Sequence, residues 1–481
     1  MSVAILAQYP NSSCLRMPLL SRAPRSQAQL LRCYAKCQVA ALTIEEKESM
    51  RQAVNADIEI GSWYSGWDPD FLAIEAVRRA LGAKCIDFIH SSEICSDRSQ
   101  FILAHPRKCQ PKHLFGDFTM RMPPNILQAA AVLQAEAQRI ASQRVAAGEQ
   151  PACIKEKVEE NLYISLDKLF RNVVIAPEQE CLKCRKSCPV WEVRRNSVKG
   201  VTAGTCCYDH SSMNLRRSSC ANVVGQSVIP WACFAHEMRT YKPDFIIEEC
   251  TPLTEQMVRF MLMFLGEGWT AHSWWLNPNE FGDPQTGKRR WTIYLNHHGN
   301  TRWATQIESP VSRFGCTPKL DLNSFWSTPK DVVNQCLQKL RVKKGFRKND
   351  KSKTWEKLLT GFQARMLQEA KCEMRARRYP VKHTTMDLNH KPQYGLAKGK
   401  YARRLTRTTS RWHFALQRPM LDHEKMLQMG MDVYKPRYRK LLDNASSKTI
   451  SSVAGNAQIQ SVISAVFLNL LLSMRRARVE H

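Results

Sequence analysis

A thiol and a carboxylate follow two apolar stretches that lie about forty residues apart. The first stretch, 201–203, ends four residues before Cys207, and the second, 245–247, ends two residues before Glu249. Each stretch predicts a short buried strand, and parallel strands carry their chemistry at their carboxyl ends. A cysteine beside a glutamate that can share a proton is a usable pair for covalent catalysis. An unreactive cysteine, however, is commonly a small buried apolar residue, so both readings fit these two stretches.

Further acidic residues follow predicted strands earlier in the chain. Residues 58–67 predict a strand that breaks into a glycine-containing turn, and apolar residues at helical spacing follow it. Two more predicted strands end near Glu93 and Asp117. An acidic residue at the tip of the second strand of a βαβ unit typically binds ribose hydroxyls. This order predicts a nucleoside-binding α/β domain.

The end of the chain adds two helices and a turn. Residues 418–429 predict a helix that ends at Gly430, and Gly455-Asn456 precedes a helix over 462–474. A Gly-Asn turn at a helix start presents backbone N–H groups to a ligand. The apolar run 462–472 is too short and too polar for a membrane span, so we expect a buried helix and no membrane partner.

The net charge of +28 over 481 residues makes a polyanion the expected partner, and nucleic acid is the commonest one. A merely soluble basic surface is the alternative. Between 300 and 417 basic residues cluster with aromatic ones, as in nucleic-acid-binding segments. We expect a separate lobe that faces the carboxyl edge of the sheet and supplies most of the nucleic-acid affinity but little of the chemistry, or else a solvated loop. Its candidate phosphate-binding residues are Lys343, Lys344, Arg403, Arg404 and Arg407.

The 18 cysteines lack the dense, even spacing of a small secreted scaffold, which predicts a reducing compartment and mostly free thiols. Cys181, Cys184 and Cys188 offer three of the four ligands that zinc needs, with Cys153 or a histidine as candidate fourth. No second C-x-x-C pair follows at finger spacing. Free thiols are therefore favoured, and no metal is predicted.

Residues 1–44 contain basic residues and no acidic one. A transit peptide and a disordered basic tail both have this composition, and either would lie outside the fold.

In order, these features resemble the motifs of the C5-cytosine methyltransferases, which use S-adenosylmethionine, from about residue 57 to 474. That family has an F-x-G-x-G turn, a Glu, an Asp, a PCQ loop, an ENV strand, a Q-x-R-x-R segment, a variable recognition region, a long helix motif and a G-N turn. The matching residues here are Tyr64 to Trp67, Glu93, Asp117, Cys207, Glu249, Gln285 with Arg289, Arg418 with Glu424 and Gly430, and Gly455-Asn456.

Several positions depart from the family pattern close to the chemistry. Gly287 replaces the first Arg, which helps to hold the base and the catalytic loop in that family. The other replacements are Asp68 for the second Gly of the turn, Cys206 and Tyr208 for the Pro and Gln beside the nucleophile, and Cys250 for the Asn of the ENV strand. Weak activity, an altered substrate and an inactive enzyme all fit these changes. Retention of both Cys207 and Glu249 favours an active enzyme.

The resemblance implies a fold, a cofactor and a mechanism. The implied fold is α/β: a Rossmann-like class I methyltransferase domain with a doubly wound, mostly parallel sheet and an inserted basic target-recognition lobe. S-adenosylmethionine would bind at Tyr64, Ser65, Gly66, Trp67, Glu93, Asp117 and Asn456, with Glu93 on the ribose and Asp117 on the adenine edge. Cys207 would add to C6 of a flipped cytosine, Glu249 would stabilise protonation at N3, and Arg289 would favour the thiolate.

The implied substrate is DNA, with tRNA and a non-catalytic nucleic-acid-binding role as alternatives. We expect a monomer located in the nucleus, or in a mitochondrion or plastid if residues 1–44 are a transit peptide. The predicted segments are a tail (1–50), a catalytic core (51–299) with an insertion (123–200), a recognition region (300–417), the rest of the core (418–474) and a final tail (475–481).

Overall fold

The computed structural model describes residues 27–55, 57–84, 86–205, 225, 227–250, 255–299, 301–433 and 435–476. Its first ten strands are β1 (Ile58–Trp63), β2 (Ile86–Ser92), β3 (His113–Phe115), β4 (Glu178–Cys181), β5 (Lys186–Pro189), β6 (Val198–Gly204), β7 (Phe245–Cys250), β8 (Trp269–Leu276), β9 (Gln285–Thr286) and β10 (Arg289–Asn296). All except β9 belong to one sheet of nine strands within the described residues, in the order β5-β4-β3-β2-β1-β6-β7-β10-β8.

The middle of this sheet is parallel: β1 pairs with β2 and β6, β2 with β3, and β6 with β7. Strand β10 runs antiparallel between β7 and β8. The chain therefore proceeds outward from β1 in one direction and then from β6 in the other, which confirms the predicted doubly wound α/β fold. Such a reversal leaves a crevice at the carboxyl ends of the two central strands.

The helices before the recognition region cover both faces of the sheet. They are α1 (Gln27–Ala40), α2 (Ile44–Val54), α3 (Pro69–Leu81), α4 (Ser96–Leu103), α5 (Pro124–Ala146), α6 (Pro151–Phe170), α7 (Val228–Tyr241) and α8 (Glu255–Leu265). Period-two alternation in β7 places Phe245 and Ile247 in the core beside α3, and Ile246 in the core beside α7 and α8. Glu248 and Glu249 consequently point to opposite faces.

The remaining helices and strands build the recognition region and complete the core. The helices are α9 (Pro310–Phe314), α10 (Lys330–Lys343), α11 (Gly361–Ala376), α12 (Pro392–Gly395), α13 (Asp422–Gln428), α14 (Pro436–Asn444), α15 (Ser447–Gly455) and α16 (Gln460–Ser473). The strands are β11 (Thr301–Trp303), β12 (Thr384–Asp387), β13 (Leu396–Lys398), β14 (Ala402–Arg403), β15 (Arg411–His413), β16 (Arg418–Pro419) and β17 (Met474–Arg476).

The recognition region has a small core of its own. Strands β13, β12, β15 and β16 form a sheet, and α11 contributes Met366 and Leu367 to the core that includes Trp412. Phe314 and Phe325 lie instead in the main core, the one shared by α3 and the central strands, so the first part of the predicted region 300–417 packs with the main domain. Strand β14 pairs with β9, which joins the lobe to the main domain.

Helix α16 is the most buried helix of the main core. It packs on α3 and α1, as the predicted return of the last helix to the first strand requires. The stretch Ser447–Ser473 is apolar and long enough to cross a membrane by composition, but 83% of its apolar window is buried inside the protein. A helix that is apolar all round fits such a buried position.

The amino-terminal segment differs from the expectation that residues 1–44 lie outside the fold. Ala35 and Val39 of α1, and Leu42 just after it, are buried in the main core, and Gln38 donates a hydrogen bond to the Ser461 carbonyl on α16. These buried residues recur at the three- and four-residue spacing of an amphipathic helix. The absence of Asp and Glu from residues 1–44 predicted a tail, whereas the spacing of the apolar residues indicates a packed helix.

The insertion 123–200 is part of the same architecture. Helices α5 and α6 pack against each other, and α6 lies on α7 and α8, where the rings of Tyr163 and Phe260 stack with centroids 4.3 Å apart. Strands β4 and β5 then form a hairpin that extends the main sheet beyond β3. The insertion therefore covers one face of the sheet and lengthens one edge.

Candidate active site at the carboxyl edge of the sheet

The predicted cofactor-binding residues follow β1, β2 and β3 at one edge of the sheet. Glu93 comes directly after β2 and is 3% exposed. Its carboxylate accepts hydrogen bonds from the Gly66 amide (2.8 Å), the Cys95 amide (2.9 Å) and Arg98 (3.0 Å). Burial raises the pKa of Glu93, and the charge of Arg98 opposes this rise. Glu93 thus joins the turn after β1 to the end of β2. Because a carboxylate can accept about four hydrogen bonds, Glu93 can accept one more from a ligand.

The turn after β1 is held in an unusual backbone conformation. Tyr64 and Gly66 have φ values of 52° and 61°, and Asp68 has a φ of 52° just before α3. Ser65 donates to the carbonyls of Ser62 and Ser92. Left-handed residues clustered at one turn mark a site where the surrounding structure fixes the backbone.

The aromatic side chains of this turn point into the protein. Trp67 is fully buried and its carbonyl lies 2.6 Å from His105 Nε2, while the Tyr64 ring packs edge-on against Phe118 with centroids 5.0 Å apart. At Tyr64 and Trp67 the ring itself is therefore part of the core. A ligand in the crevice would contact the backbone of this turn more than these rings.

Asp117 follows β3 and begins a short 3-10 turn. Its Oδ1 accepts from the amide and the hydroxyl of Thr119, at 2.9 and 2.7 Å. The Asp117 carbonyl accepts a hydrogen bond of 2.8 Å from Gln179 on β4. Both side-chain bonds use Oδ1, and the inserted hairpin holds the backbone of this residue.

Asn456 lies across the crevice from the first turn, as the predicted topology requires. A Cβ built on Gly66 would lie 3.5 Å from the Asn456 carbonyl oxygen. The Asn456 side chain accepts from Arg407 Nε at 2.7 Å and donates to the Ser452 carbonyl at 2.7 Å. The two ends of the domain therefore meet beside Gly66.

The predicted nucleophile, Cys207, lies outside the described residues. Gly204, the last residue of β6, is in register with Glu249 on β7. The next residue, Thr205, donates a hydrogen bond of 2.8 Å to the buried carboxyl of Glu248. The chain thus leaves the sheet beside Glu249, two residues before Cys207.

Glu249 is held by two arginines. Its Oε1 lies 3.0 Å from Arg404 Nη1 and 3.3 Å from Arg289 Nε. Arg404 also donates to the Ala457 carbonyl at 2.7 Å. The side chains of Glu249 and Arg404 are both 8% exposed, and a buried carboxylate is stable when charged partners and hydrogen bonds compensate it. Since both contacts use Oε1, Oε2 is left to face a ligand.

Arg404 lies beside Gly287, the residue that replaces the first arginine of the family pattern. The Arg404 amide donates to the Thr286 carbonyl at 2.8 Å, and a Cβ built on Gly287 would lie 2.8 Å from Arg404 Cβ. Gly287 has a φ of 152°, a conformation that favours glycine. A side chain at position 287 would therefore displace Arg404, and sequence reasoning missed this arginine as a partner of Glu249.

Arg404 and Arg407 were predicted to bind phosphate, but in the structure they contact Glu249 and Asn456, so the basic region reaches the candidate catalytic and cofactor-binding residues. The chain returns to the main domain through β14, and these arginines follow that strand. Arg403 donates to the Tyr394 carbonyl at the surface of the lobe. Lys343 and Lys344 are exposed at the end of α10. Phosphate binding by these side chains stays a prediction.

Two buried acids near the first turn were not predicted as functional. Asp68 accepts from the hydroxyl of Ser91, and Asp70 from the hydroxyl of Thr202 on β6. Burial raises the pKa of Asp68 well above its usual value, with Asp70 adding to the rise, and burial raises the pKa of Asp70 to about 6. The hydrogen bonds of these acids link the start of α3 to β2 and β6, beside the point where the strand order of the sheet reverses.

Without the added hairpin β4–β5, the strand order of the main sheet is 3-2-1-4-5-7-6, where the strands are renumbered in chain order and the seventh is antiparallel. This order is that of the class I methyltransferase fold.

No family model matches the sequence, and no curated protein matches it. Similar solved structures include Entamoeba histolytica methyltransferase EhMeth, with 10% identity over 86% of this chain and 98% of that chain and a TM-score of 0.42. Spodoptera frugiperda DNMT2 has 13% identity over 86% and 99% and a TM-score of 0.42. The S. pombe Dnmt2 methyltransferase has 11% identity over 86% and 98% and a TM-score of 0.41.

Proposed function

We propose that the protein transfers a methyl group from S-adenosylmethionine to C5 of cytosine in nucleic acid, through a covalent adduct with Cys207. The supporting observation is the register of Gly204, three residues before Cys207 in the sequence, with Glu249, a buried carboxylate held by two guanidinium groups. DNA is the favoured substrate and tRNA the alternative.

The cofactor crevice fits a nucleoside on chemical grounds. Glu93 is a buried carboxylate at the tip of the second strand, where a hydroxyl pair is typically bound. The Oδ1 atom of Asp117 is used by Thr119, which leaves Oδ2 for the amino group of an adenine. Bound S-adenosylmethionine would supply an electrophilic methyl group on its sulfonium. The residues of this crevice would orient it and exclude water from the methyl group.

The catalytic residues divide the reaction between them. The Cys207 thiolate forms a bond to C6 of cytosine, while Glu249 stabilises the protonated N3, so that electron density moves to C5. C5 then takes the methyl group, a base removes the C5 proton, and the Cys207 thiolate leaves. Arg289 and Arg404 hold Glu249 through Oε1 and direct its Oε2 toward the target cytosine. The target base must leave the duplex to reach this crevice.

The proposed activity is tested by transfer of a tritiated methyl group to duplex DNA and to tRNA in parallel. The wild-type protein should label DNA, and Cys207→Ser should label neither substrate. Cys206→Ser is the matched control, because it removes the neighbouring thiol, and it should keep the activity. Labelling of tRNA alone would replace the DNA assignment with the RNA alternative. Equal labelling by Cys207→Ser and the wild type would reject the mechanism.

A further inference from the structure

Three thiols and an imidazole converge at the edge of the main sheet, outside the candidate active site. Cys181 ends β4, Cys184 lies in the hairpin turn, Cys188 lies on β5, and His113 begins β3. Their ligand atoms all lie within 4.8 Å of one another. Cys153, the other candidate fourth ligand, is exposed on α6 and is not part of this cluster.

The spacing of the ligand atoms suits a tetrahedral zinc ion. With Zn–S and Zn–N distances of about 2.3 and 2.0 Å, two ligand atoms of a tetrahedron lie about 3.5–3.8 Å apart. The distance from Cys184 Sγ to His113 Nδ1 is 3.6 Å. A set of three cysteines and one histidine supplies all four positions, which is the composition of a closed structural site and leaves none for substrate.

The backbone around the cluster is arranged for sulfur ligands. The amides of Cys184 and Leu114 point at Cys181 Sγ, at 3.3 and 3.4 Å. Arg185 has a φ of 55° and donates its amide to the Cys181 carbonyl at 2.7 Å, which closes the turn between the two strands. Hydrogen bonds to ligand atoms orient them and are a regular part of metal sites.

The charges near the cluster also suit a bound ion. Zinc with three thiolates and a neutral imidazole carries a net charge of −1. Lys112, Lys183 and Lys186 act on His113 and would offset that charge, while Glu192 opposes them. Lys183 is further fixed by a hydrogen bond of 2.6 Å to the Pro111 carbonyl.

The apolar core behind the hairpin is small. The strands of the hairpin have four residues each, and this core consists of Phe115, Cys181, Cys188 and Val190. Strand β4 is joined to β3 by a single residue pair, Phe115 with Cys181. Elements with so small a core usually need a disulfide or a metal for stability.

We propose that His113, Cys181, Cys184 and Cys188 bind one structural zinc ion that fastens the β4–β5 hairpin to β3. The ion joins residues 68 positions apart in the chain and so contributes binding energy directly to the fold of this edge. The sequence left Cys153 or a histidine as the candidate fourth ligand, and it did not single out His113, because His113 approaches the cysteines only when β3 and β4 pair.

The test is the metal content of the full-length protein, purified under reducing conditions from cells grown with zinc. We expect one zinc ion per chain in the wild type and in the matched control Cys153→Ser. In Cys184→Ser and His113→Ala, we expect zinc retained after dialysis against a chelator to fall by roughly tenfold or more. Circular dichroism of each variant checks that the remainder of the domain is folded.

Cobalt exchange provides a second measurement that needs no variant. Cobalt in the wild-type site should show the absorption of a tetrahedral ion with thiolate charge-transfer bands. Wild-type protein without zinc and without these bands would overturn the proposal. A Cys181–Cys184 disulfide found by mass spectrometry in protein purified without reductant, together with absent zinc, would overturn it in favour of a redox pair. Unchanged zinc in Cys184→Ser would also overturn it.

Discussion

Arg404, from the basic recognition region, lies 3.0 Å from the carboxylate of Glu249 on the central sheet. The two residues are 155 positions apart in the sequence. The contact exists because β14 pairs with β9 and returns the chain to the crevice beside Gly287. Position 287, where the motif that the sequence resembles has an arginine, is a glycine here, and the guanidinium of Arg404, the residue after β14, reaches Glu249 instead.

Replacement of Arg404 by Ala should impair methyl transfer. A hydrogen bond between charged groups contributes about 1.5–3 kcal/mol, so kcat should fall roughly tenfold to a hundredfold. Cofactor affinity should change much less, because Arg404 touches Glu249 rather than Glu93 or Asp117. Arg139→Ala is the matched control, since Arg139 is an exposed arginine on α5 that pairs with Glu136. Equal losses in both variants would contradict a specific role for Arg404.

A companion variant at Gly287 tests the same contact from the other side. Gly287→Ala introduces a methyl group 2.8 Å from Arg404 Cβ, so it should displace Arg404 and lower kcat in the same direction. In the Arg404→Ala background the further effect of Gly287→Ala on kcat should be smaller than in the wild type. Strictly additive effects on the logarithm of kcat would show that Gly287 does not act through Arg404.

Replacement of Glu93 by Gln should weaken S-adenosylmethionine binding. The substitution removes a buried carboxylate that also holds the Gly66 amide, and the cost is roughly 1–3 kcal/mol. The dissociation constant measured by calorimetry should rise about 5- to 150-fold. Glu59→Gln is the control: Glu59 is also buried, but it lies at the other end of β1, where it binds Arg194. Unchanged affinity in Glu93→Gln would refute the cofactor assignment.

Nucleic-acid binding should depend on the exposed lysines at the end of α10. Replacement of Lys343 and Lys344 by Ala should reduce the slope of log K against log salt by about 0.9 for each lost phosphate contact on duplex DNA. Fluorescence anisotropy over a salt series measures the slope. Lys157 and Lys168, exposed on α6, give a double variant with the same loss of charge. An unaltered slope for the α10 variant would support a solvated segment instead.

The free energy of unfolding should fall as the pH rises from about 4 to about 7, because of the buried carboxyl of Asp283. Burial raises the pKa of Asp283 from 3.8 to about 7, against hydrogen bonds from Gln285 and Ser461 that lower it. In this range the unfolded chain releases the proton while the folded one retains it. The free energy of unfolding therefore decreases as pH rises, by on the order of 1 kcal/mol per pH unit. Asp283→Asn should flatten this slope in urea unfolding. If the free energy of unfolding changed equally with pH in the wild type and in Asp283→Asn, the assignment of this pH dependence to Asp283 would be contradicted.

The sequence predicted the parts of the fold that depend on local pattern. Apolar runs followed by acidic residues located β2 and β7, and these strands carry Glu93 and Glu249 to one edge. Contacts between distant segments were not predictable in the same way. The contact of Arg404 with Glu249 depends on a two-residue strand pair, and His113 meets the cysteines only through pairing at the sheet edge. Neither of these contacts produces a periodic pattern in the sequence.

Covalent trapping tests the proposed mechanism most directly. Duplex DNA with 5-fluorocytosine at target positions should form an adduct that survives denaturation, because fluorine at C5 cannot leave as a proton does. The wild-type protein and Cys206→Ser should form this adduct when S-adenosylmethionine is present, and Cys207→Ser should not. An adduct that persists in Cys207→Ser would contradict the account. So would the absence of any adduct on DNA or tRNA from wild-type protein that binds the cofactor.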